Sequence, residues 1–333
     1  MYRILEKISL NALRLNATRI KEFTNKKLIA VVKDDAYGHG AEAVCHALED
    51  VADLFAVASV EEGAALRTAG ITKDILVLTP CLSKEEGVRL IAYGLIASVS
   101  SLASLRVMLR AEAHMHSRAR VHVAVNTGMN RYGVRQENLL QVLREAGERV
   151  EGVYSHLYSP SDRAVIEEQV RIFQEARDRV RGFVPRAVCH LSATGGALAG
   201  VESDAVRAGI ALYGYLPAGF EGALAVTPVA KFYATVAHSC RQVGRGVGYN
   251  LPAQKYRCLH TLRAGYGDGF FRAGGEPFLG VICMDAALRE GRERFGRRKL
   301  ILNNVTQYAK AIGTSEYEVL VRLGSRAEKR YIL

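Results

Sequence analysis

A lysine closes an apolar run of strand length in Leu28-Ile29-Ala30-Val31-Val32-Lys33, and Asp34-Asp35-Ala36-Tyr37-Gly38-His39-Gly40 follows as a polar, Gly-containing turn. An amine at the end of a buried strand is poorly placed for solubility and well placed for chemistry. Taken out of water, its pKa falls, the free amine becomes nucleophilic, and a Schiff base with a carbonyl compound comes within reach. The bland alternative is a lysine that extends its stem to solvent.

Other reactive residue types follow apolar runs in the same way. Asn126-Thr127-Gly128-Met129-Asn130-Arg131 follows one run, His156 another, and His190 to Thr194 a third. Arg207, with Gly209 and Ile210 just beyond, belongs to a fourth. Singly, His156 reads as a satisfied core histidine and Arg131 as a partner for any carboxylate. Their joint recurrence at run ends is harder to dismiss.

The elements that position these residues alternate. Strand-like runs at 28–33, 54–59, 74–79, 95–100, 120–126, 149–156, 187–192 and 205–210 are mostly separated by helical pattern, as at 60–69, 84–93, 102–113, 136–146 and 164–180. Continuous apolar strands alternating with helices imply a parallel sheet covered on both faces. Eight units in about 200 residues favour a closed (β/α)8 TIM-type barrel over a doubly wound open sheet. In a barrel, chemistry sits at the C-terminal strand ends, which places Lys33, Tyr37, Arg131, His156, Thr194 and Arg207 at one mouth. A short strand is expected over residues 3–9, and a helix from about Leu10 to Phe23.

After Tyr213-Gly214-Tyr215-Leu216-Pro217-Ala218-Gly219 the pattern changes to strand-like pieces joined by Gly-rich turns: 230–238, 257–262, 278–283, 299–303 and 318–322. The reading is a barrel over 8–219 and a mostly antiparallel β domain over 220–333, with residues 1–7 joining the second.

Composition sets bounds. Of the 333 residues 49% are hydrophobic and 24% charged, ordinary for a globular chain. No apolar run nears the ~20 residues of a membrane span. The N-terminus lacks a signal-peptide core, so a cytoplasmic protein is expected. Six scattered cysteines without a CxxC pair read as free thiols, not a disulfide framework or zinc site. No metal-ligand spacing appears; the one HxH, His114 and His116, ends a helical pattern. The +11 charge raises nucleic acid as a partner, but its densest stretch, 289–299, is interleaved with Glu and reads as a solvated face. Gly244-Arg245-Gly246-Val247-Gly248 superficially resembles a dinucleotide loop, yet lies among β-domain pieces and reads as a hairpin turn.

With these residues in view, the chain resembles the fold-type III, pyridoxal-phosphate-dependent alanine racemases. Ala30-Val31-Val32-Lys33-x-x-Ala36-Tyr37-Gly38-His39-Gly40 is similar to the family's cofactor-lysine signature. The likeness continues in Asn126–Gly133, Glu151–His156, Val206–Gly214, Gly265-Tyr266-Gly267-Asp268-Gly269, Cys283-Met284-Asp285 and Glu316-Tyr317-Glu318. It covers nearly the whole chain, in order.

The resemblance implies pyridoxal 5'-phosphate as cofactor and an amino acid, alanine, as substrate, with D-alanine supplied for peptidoglycan. Lys33 would hold the cofactor as a Schiff base and act as one base, with Tyr266 the other, reaching the site from the second subunit of a homodimer with shared active sites. Arg207 would donate to the pyridine nitrogen. Tyr37, Thr194, Gly209, Ile210 and Tyr317 would bind phosphate, Arg131 and Met284 the substrate carboxylate. His156 would orient the tyrosine or pack on the ring. Neither nucleic acid nor membrane is implied.

Alternatives within reach are a racemase of another or broader set of amino acids, a non-catalytic pyridoxal-phosphate binder, and a fold-type III decarboxylase. The β domain and Tyr266 argue against the binder; the absence of a cysteine-containing catalytic segment near the C-terminus argues against the decarboxylase. One departure stands out. Where many members carry a lysine that becomes carbamylated and braces the arginine, this chain has Ala124, with Asn126 two residues on. Arg131 must then be held differently, for instance by an inorganic anion. Thr194 stands where serine is usual.

Overall fold

The structure, a computed structural model, describes residues 3–249 and 255–333. Residues 1–2, part of the segment expected to join the β domain, lie outside the described residues. The chain divides into two compact units: one holds Arg14–Asp34 and Glu42–Val226, the other the chain up to Leu13, Asp35–Ala41 and Thr227–Leu333.

The strands are β1 (Ile4–Ser9), β2 (Lys27–Val31), β3 (Leu54–Val57), β4 (Ile75–Pro80), β5 (Ile96–Val99), β6 (Arg120–Ala124), β7 (Val150–Tyr154), β8 (Val188–His190), β9 (Ala205–Ala208), β10 (Ala230–Cys240), β11 (Leu259–Leu262), β12 (Ala287–Glu290), β13 (Arg298–Leu302) and β14 (Glu328–Ile332).

In the first unit β2 to β9 form one parallel sheet in the order β8-β7-β6-β5-β4-β3-β2-β9. A parallel bridge between Ala193 and Arg207 brings the two ends together into a nearly closed barrel. Its strands are short and buried over most of their length, as in Ile29, Ala30 and Val31 or Phe55, Ala56 and Val57. A parallel strand covered by helices has no solvent face, which explains the lack of alternation. Four of the barrel unit's helices begin where serine or aspartate supplies a cap. Ser59, Ser83 and Ser101 each accept a backbone N–H from three residues on, opening Val60–Thr68, Lys84–Ala92 and Leu102–Met115. Asp162 does the same for Arg163–Phe183, accepting from Ala164 and Val165. Each cap satisfies donors the first turn cannot pair internally.

In the second unit a six-stranded sheet runs β12-β11-β10-β1-β14, with β13 also on β10. Every pairing is antiparallel except β1 with β14. Two strand expectations fail here. Residues 278–283 make only the bridges of Leu279 and Val281; the ladder strand is β12. Residues 318–322 lie in a helix, Glu316–Gly324. Val319, Leu320 and Leu323 recur at helical spacing and are buried, so a β-rich composition masked a helical period. The strand that closes the chain is β14 instead.

Candidate active site

Strand β2 ends at Val31, and the amide of Val32 still bonds the Ala56 carbonyl (2.8 Å). Lys33 then opens one helical turn, Lys33–Tyr37, of unusual hand: φ is +53° to +55° at Asp34, Asp35, Ala36 and Tyr37. A left-handed turn costs L-residues about 1–2 kcal/mol each, so four in succession need external support. Within the barrel unit the start of the turn is tied by Glu62, whose carboxylate accepts the Asp34 N–H at 2.6 Å and the Ala58 and Ser59 N–H groups at 2.7 and 3.1 Å. Contrary to a lysine taken out of water, the Lys33 side chain is 38% exposed, with its ammonium 4.0 Å from Asp34. The apolar strand stops two residues short of it.

Arg207, at 4% exposure, is the most deeply placed charge in the barrel unit. Its Nη1 donates to the His190 carbonyl and to His190 Nδ1 (2.8 Å). Its Nη2 donates to the carbonyls of Ser155 (2.6 Å) and Leu191 (3.1 Å) and lies 3.4 Å from His156 Nδ1. Tautomers follow by elimination. His190 Nδ1 accepts, so Nε2 carries the proton and donates to His122 Nδ1 at 2.9 Å; His122 is then protonated on Nε2. Burial holds all three imidazoles neutral. His122 and His156 are pushed down to about 3, with Arg120 and Arg207 respectively the next causes, and His190 falls well below its usual value. The Tyr154 ring stacks on His190 (centroids 5.1 Å, planes 11° apart) beneath the Arg207 guanidinium, 5.3 Å from its centroid. Its hydroxyl donates to Ser98 Oγ at 2.8 Å.

Among the described residues Arg207 has no carboxylate partner, and its Nε makes no hydrogen bond. Burial pushes this guanidinium down to about 10. A buried cation without a counter-charge is costly. Its remaining N–H can only donate, so an uncharged ring nitrogen with a lone pair fits it. Pyridoxal phosphate passes this test: the donor is present, and Arg131, Lys33 and Arg207 supply positive charge for an anionic group.

The same unit carries the other expected residues. Arg131 is exposed on the loop after β6, its guanidinium 5.8 Å from the Tyr132 ring centroid, and it lowers the basicity of both His156 and Arg207. Asn126, the departure from the family pattern, does not touch the guanidinium. It braces the loop: Oδ1 accepts from Gly128 (3.0 Å) and Asn130 (3.2 Å), and Nδ2 donates to Asn130 Oδ1 (3.0 Å). Asn130 sits at φ +58°, a conformation asparagine tolerates. Thr194 starts the helix Thr194–Leu198 and is buried; Gly209 and Ile210 follow β9, Ile210 at 2% exposure.

The second unit brings together Tyr37, Tyr266, Met284 and Tyr317 in two pairs. The Tyr37 and Tyr317 rings lie 6.0 Å apart. Tyr266 donates its N–H to the Cys283 carbonyl (3.0 Å), and Gly267 donates to the Met284 carbonyl (2.8 Å). A part-buried ion pair, Arg3 Nε to Asp268 at 2.9 Å, secures this turn, with the second Asp268 oxygen accepting the Gly265 N–H (2.9 Å). Met284 is 61% exposed. Gly38 and Gly324 meet backbone to backbone: a Cβ on Gly324 would lie 2.4 Å from the Gly38 carbonyl oxygen.

Sequence reading missed Tyr154, His122, Arg3 and Glu62 as supports. His122 leaves a faint trace, one polar side chain within Val121-His122-Val123-Ala124. Arg3 and Asp268 are 265 residues apart and leave none.

A barrel with a lysine after one strand and a deeply buried arginine on another, joined in one chain to a mostly antiparallel sheet, is the build of a barrel enzyme. Comparison specifies it. Residues 8–217 match the family model "Alanine racemase, N-terminal domain" and residues 229–331 "Alanine racemase, C-terminal domain". An alanine racemase of Streptococcus equi subsp. equi is 30% identical over 362 aligned residues, covering 98% of this chain and 97% of that protein; one from Francisella tularensis subsp. holarctica is 29% identical over 98% and 99%. Among solved structures, an alanine racemase of Clostridium difficile superposes with a TM-score of 0.89 (27% identity, 100% of this chain, 96% of that one). That of Streptomyces lavendulae gives 0.90 (25%, 100% and 97%). The chain belongs to the alanine racemase family, and it is an amino-acid racemase, an isomerase. No helix among the described residues is long and apolar enough to cross a membrane.

Proposed function

We propose that this chain interconverts L- and D-alanine with pyridoxal 5'-phosphate, Lys33 and Tyr266 acting as bases on opposite faces of Cα. The observation that carries the reading is Arg207, a buried cation whose Nε–H alone remains to donate. When bound, the cofactor supplies an electron sink that acidifies the Cα–H. An always-protonated partner keeps the ring nitrogen unprotonated and that sink weak, which favours returning the proton to carbon over side reactions.

The remaining steps belong to this chain's own side chains. Lys33 Nζ takes or returns the proton on one face, Tyr266 Oη on the other. Two fixed bases spare the substrate from turning over. Arg131 and the backbone at Met284 receive the substrate carboxylate; Tyr37, Thr194, Gly209, Ile210 and Tyr317 hold the cofactor phosphate; His156 packs at the ring. A homodimer with shared sites, a cytoplasmic location and a supply of D-alanine to peptidoglycan complete the reading.

The test is a panel of L-amino acids incubated with the cofactor-loaded protein in D2O, scored for deuterium at Cα and for chirality. Alanine is expected to wash in deuterium and racemise fastest. Cofactor binding without exchange of any amino acid would overturn the reading.

A further inference from the structure

Beneath the left-handed turn, within the β unit, lies a carboxyl group that the reaction does not use. Glu6 on β1 is 0% exposed, between Ile4 and Ile8 on the same face of the strand. Neither of its oxygens has a hydrogen-bond partner among the described residues. Its Oε1 lies 3.9 Å from His39 Nε2, and His39 is also fully buried. His39 Nδ1 is 3.0 Å from the Ala36 carbonyl, which can only accept, so the Nδ1 carries the proton and Nε2 presents a lone pair toward Glu6. Two lone-pair surfaces facing each other in a dry site repel unless one proton lies between them.

The surrounding charges show which group carries it. Lys329, paired in register with Glu6 on β14, commits its ammonium to Asp35 (3.1 Å) and to the Gly324 carbonyl (2.9 Å). Tyr331, two residues on, donates its hydroxyl to the His39 carbonyl (3.2 Å). On the other side of β1, β10 sets Phe232 opposite Glu6. The titratable groups facing Glu6 are therefore His39 and Asp35 from the turn and Lys329 from β14, and Lys329 is already spoken for. Burial pushes Glu6 up to about 8 and His39 down to about 4, so the neutral acid beside a neutral imidazole prevails over a buried ion pair.

We propose that Glu6 is a positioning residue: as a neutral carboxylic acid donating to His39 Nε2, it latches the left-handed turn that follows Lys33 and carries Tyr37. The latch requires Glu6 Oε1 and His39 Nε2 to close from 3.9 Å to hydrogen-bond length. Lys329 to Asp35 and Tyr331 to His39 fasten the same turn at two further points. The latch rests on the cofactor reading of Lys33 and Tyr37 for its purpose, but not for its existence.

The experiment compares wild type, Glu6→Gln and Glu6→Ala. Unfolding midpoints of the cofactor-free chain are read from pH 6 to 9, and pyridoxal 5'-phosphate affinity by absorbance titration at pH 7. An acid whose folded pKa is raised contributes stability that is lost as pH rises through that value. Wild type should therefore lose midpoint relative to Glu6→Gln as pH climbs from 6 to about 8, and the difference should level off above that. The glutamine amide donates as the acid does, so its cofactor affinity should stay within about threefold of wild type, whereas Glu6→Ala should lose tenfold or more. Parallel pH profiles for wild type and Glu6→Gln, or a glutamine variant as impaired as the alanine one, would overturn the latch. A chain that binds no cofactor at all would overturn the racemase reading, and the pH profiles would still decide the latch.

Discussion

His122 offers a sharp test of the buried chain behind Arg207. It is 4% exposed, accepts from His190 Nε2 at 2.9 Å, and is held neutral with a pKa of about 3. Replacing it with phenylalanine keeps an aromatic ring of similar size and removes the acceptor. At pH 7 His122 is neutral folded and unfolded, so the only loss is that of a partner for the His190 N–H, worth about 1–3 kcal/mol for a buried donor left unsatisfied. Acid changes the balance. A histidine with a depressed folded pKa contributes stability that is present above its unfolded value near 6.5 and lost as pH falls below it. At pH 5.5 the unfolded chain gains about 1.4 kcal/mol by protonating this one imidazole while the folded chain gains almost nothing. The phenylalanine variant escapes that term. Urea unfolding of wild type and His122→Phe at pH 7.0 and 5.5 should show the stability gap shrinking by about 1.4 kcal/mol on the acid side. A gap that stays constant, or widens, would show that His122 is charged or hydrated in the fold and that the tautomer chain is wrongly assigned.

Three further outcomes follow from particular contacts. Tyr266→Phe should lose roughly 10²–10⁴-fold in Cα deuterium wash-in from one alanine enantiomer while keeping most of it from the other; equal loss from both enantiomers would contradict a one-sided base. Asn126→Ala removes the brace of the Arg131 loop, so KM for alanine should rise several-fold with kcat changed less than about twofold, the signature of lost uniform binding; a fall in kcat at unchanged KM would assign Asn126 a different part. Gly324→Ala places a methyl against the Gly38 backbone, which must shift the chain directly after Tyr37; cofactor affinity measured by absorbance should drop at least tenfold, and an unchanged value would mean the segment tolerates displacement.

Much of the barrel is legible because short-range chemistry writes it. Continuous apolar runs such as Leu28–Val32, recurring between helical patterns, read as buried strands, and Ser59 with Glu62 marks a helix start within four residues. The helix over Glu316–Gly324 is not legible in the same way: Tyr317, Val319, Leu320 and Val321 satisfy a strand's composition, and only burial of Val319, Leu320 and Leu323 on one face settles the period. Lys33 announces itself as a charge at the end of an apolar run and Arg207 as a charge inside one, a local conflict visible in one dimension.

What sequence by itself determines here is which residue types stand at the ends of which strands, since that depends on periodicity alone. What only the tertiary structure decides is the state those residues are in. Four left-handed residues after Lys33, the neutral tautomers of His190 and His122, the unpartnered charge of Arg207 and the buried acid of Glu6 all depend on groups distant in the chain. Desolvation and hydrogen-bond elimination are properties of an enclosed volume, and no stretch of sequence encloses one alone.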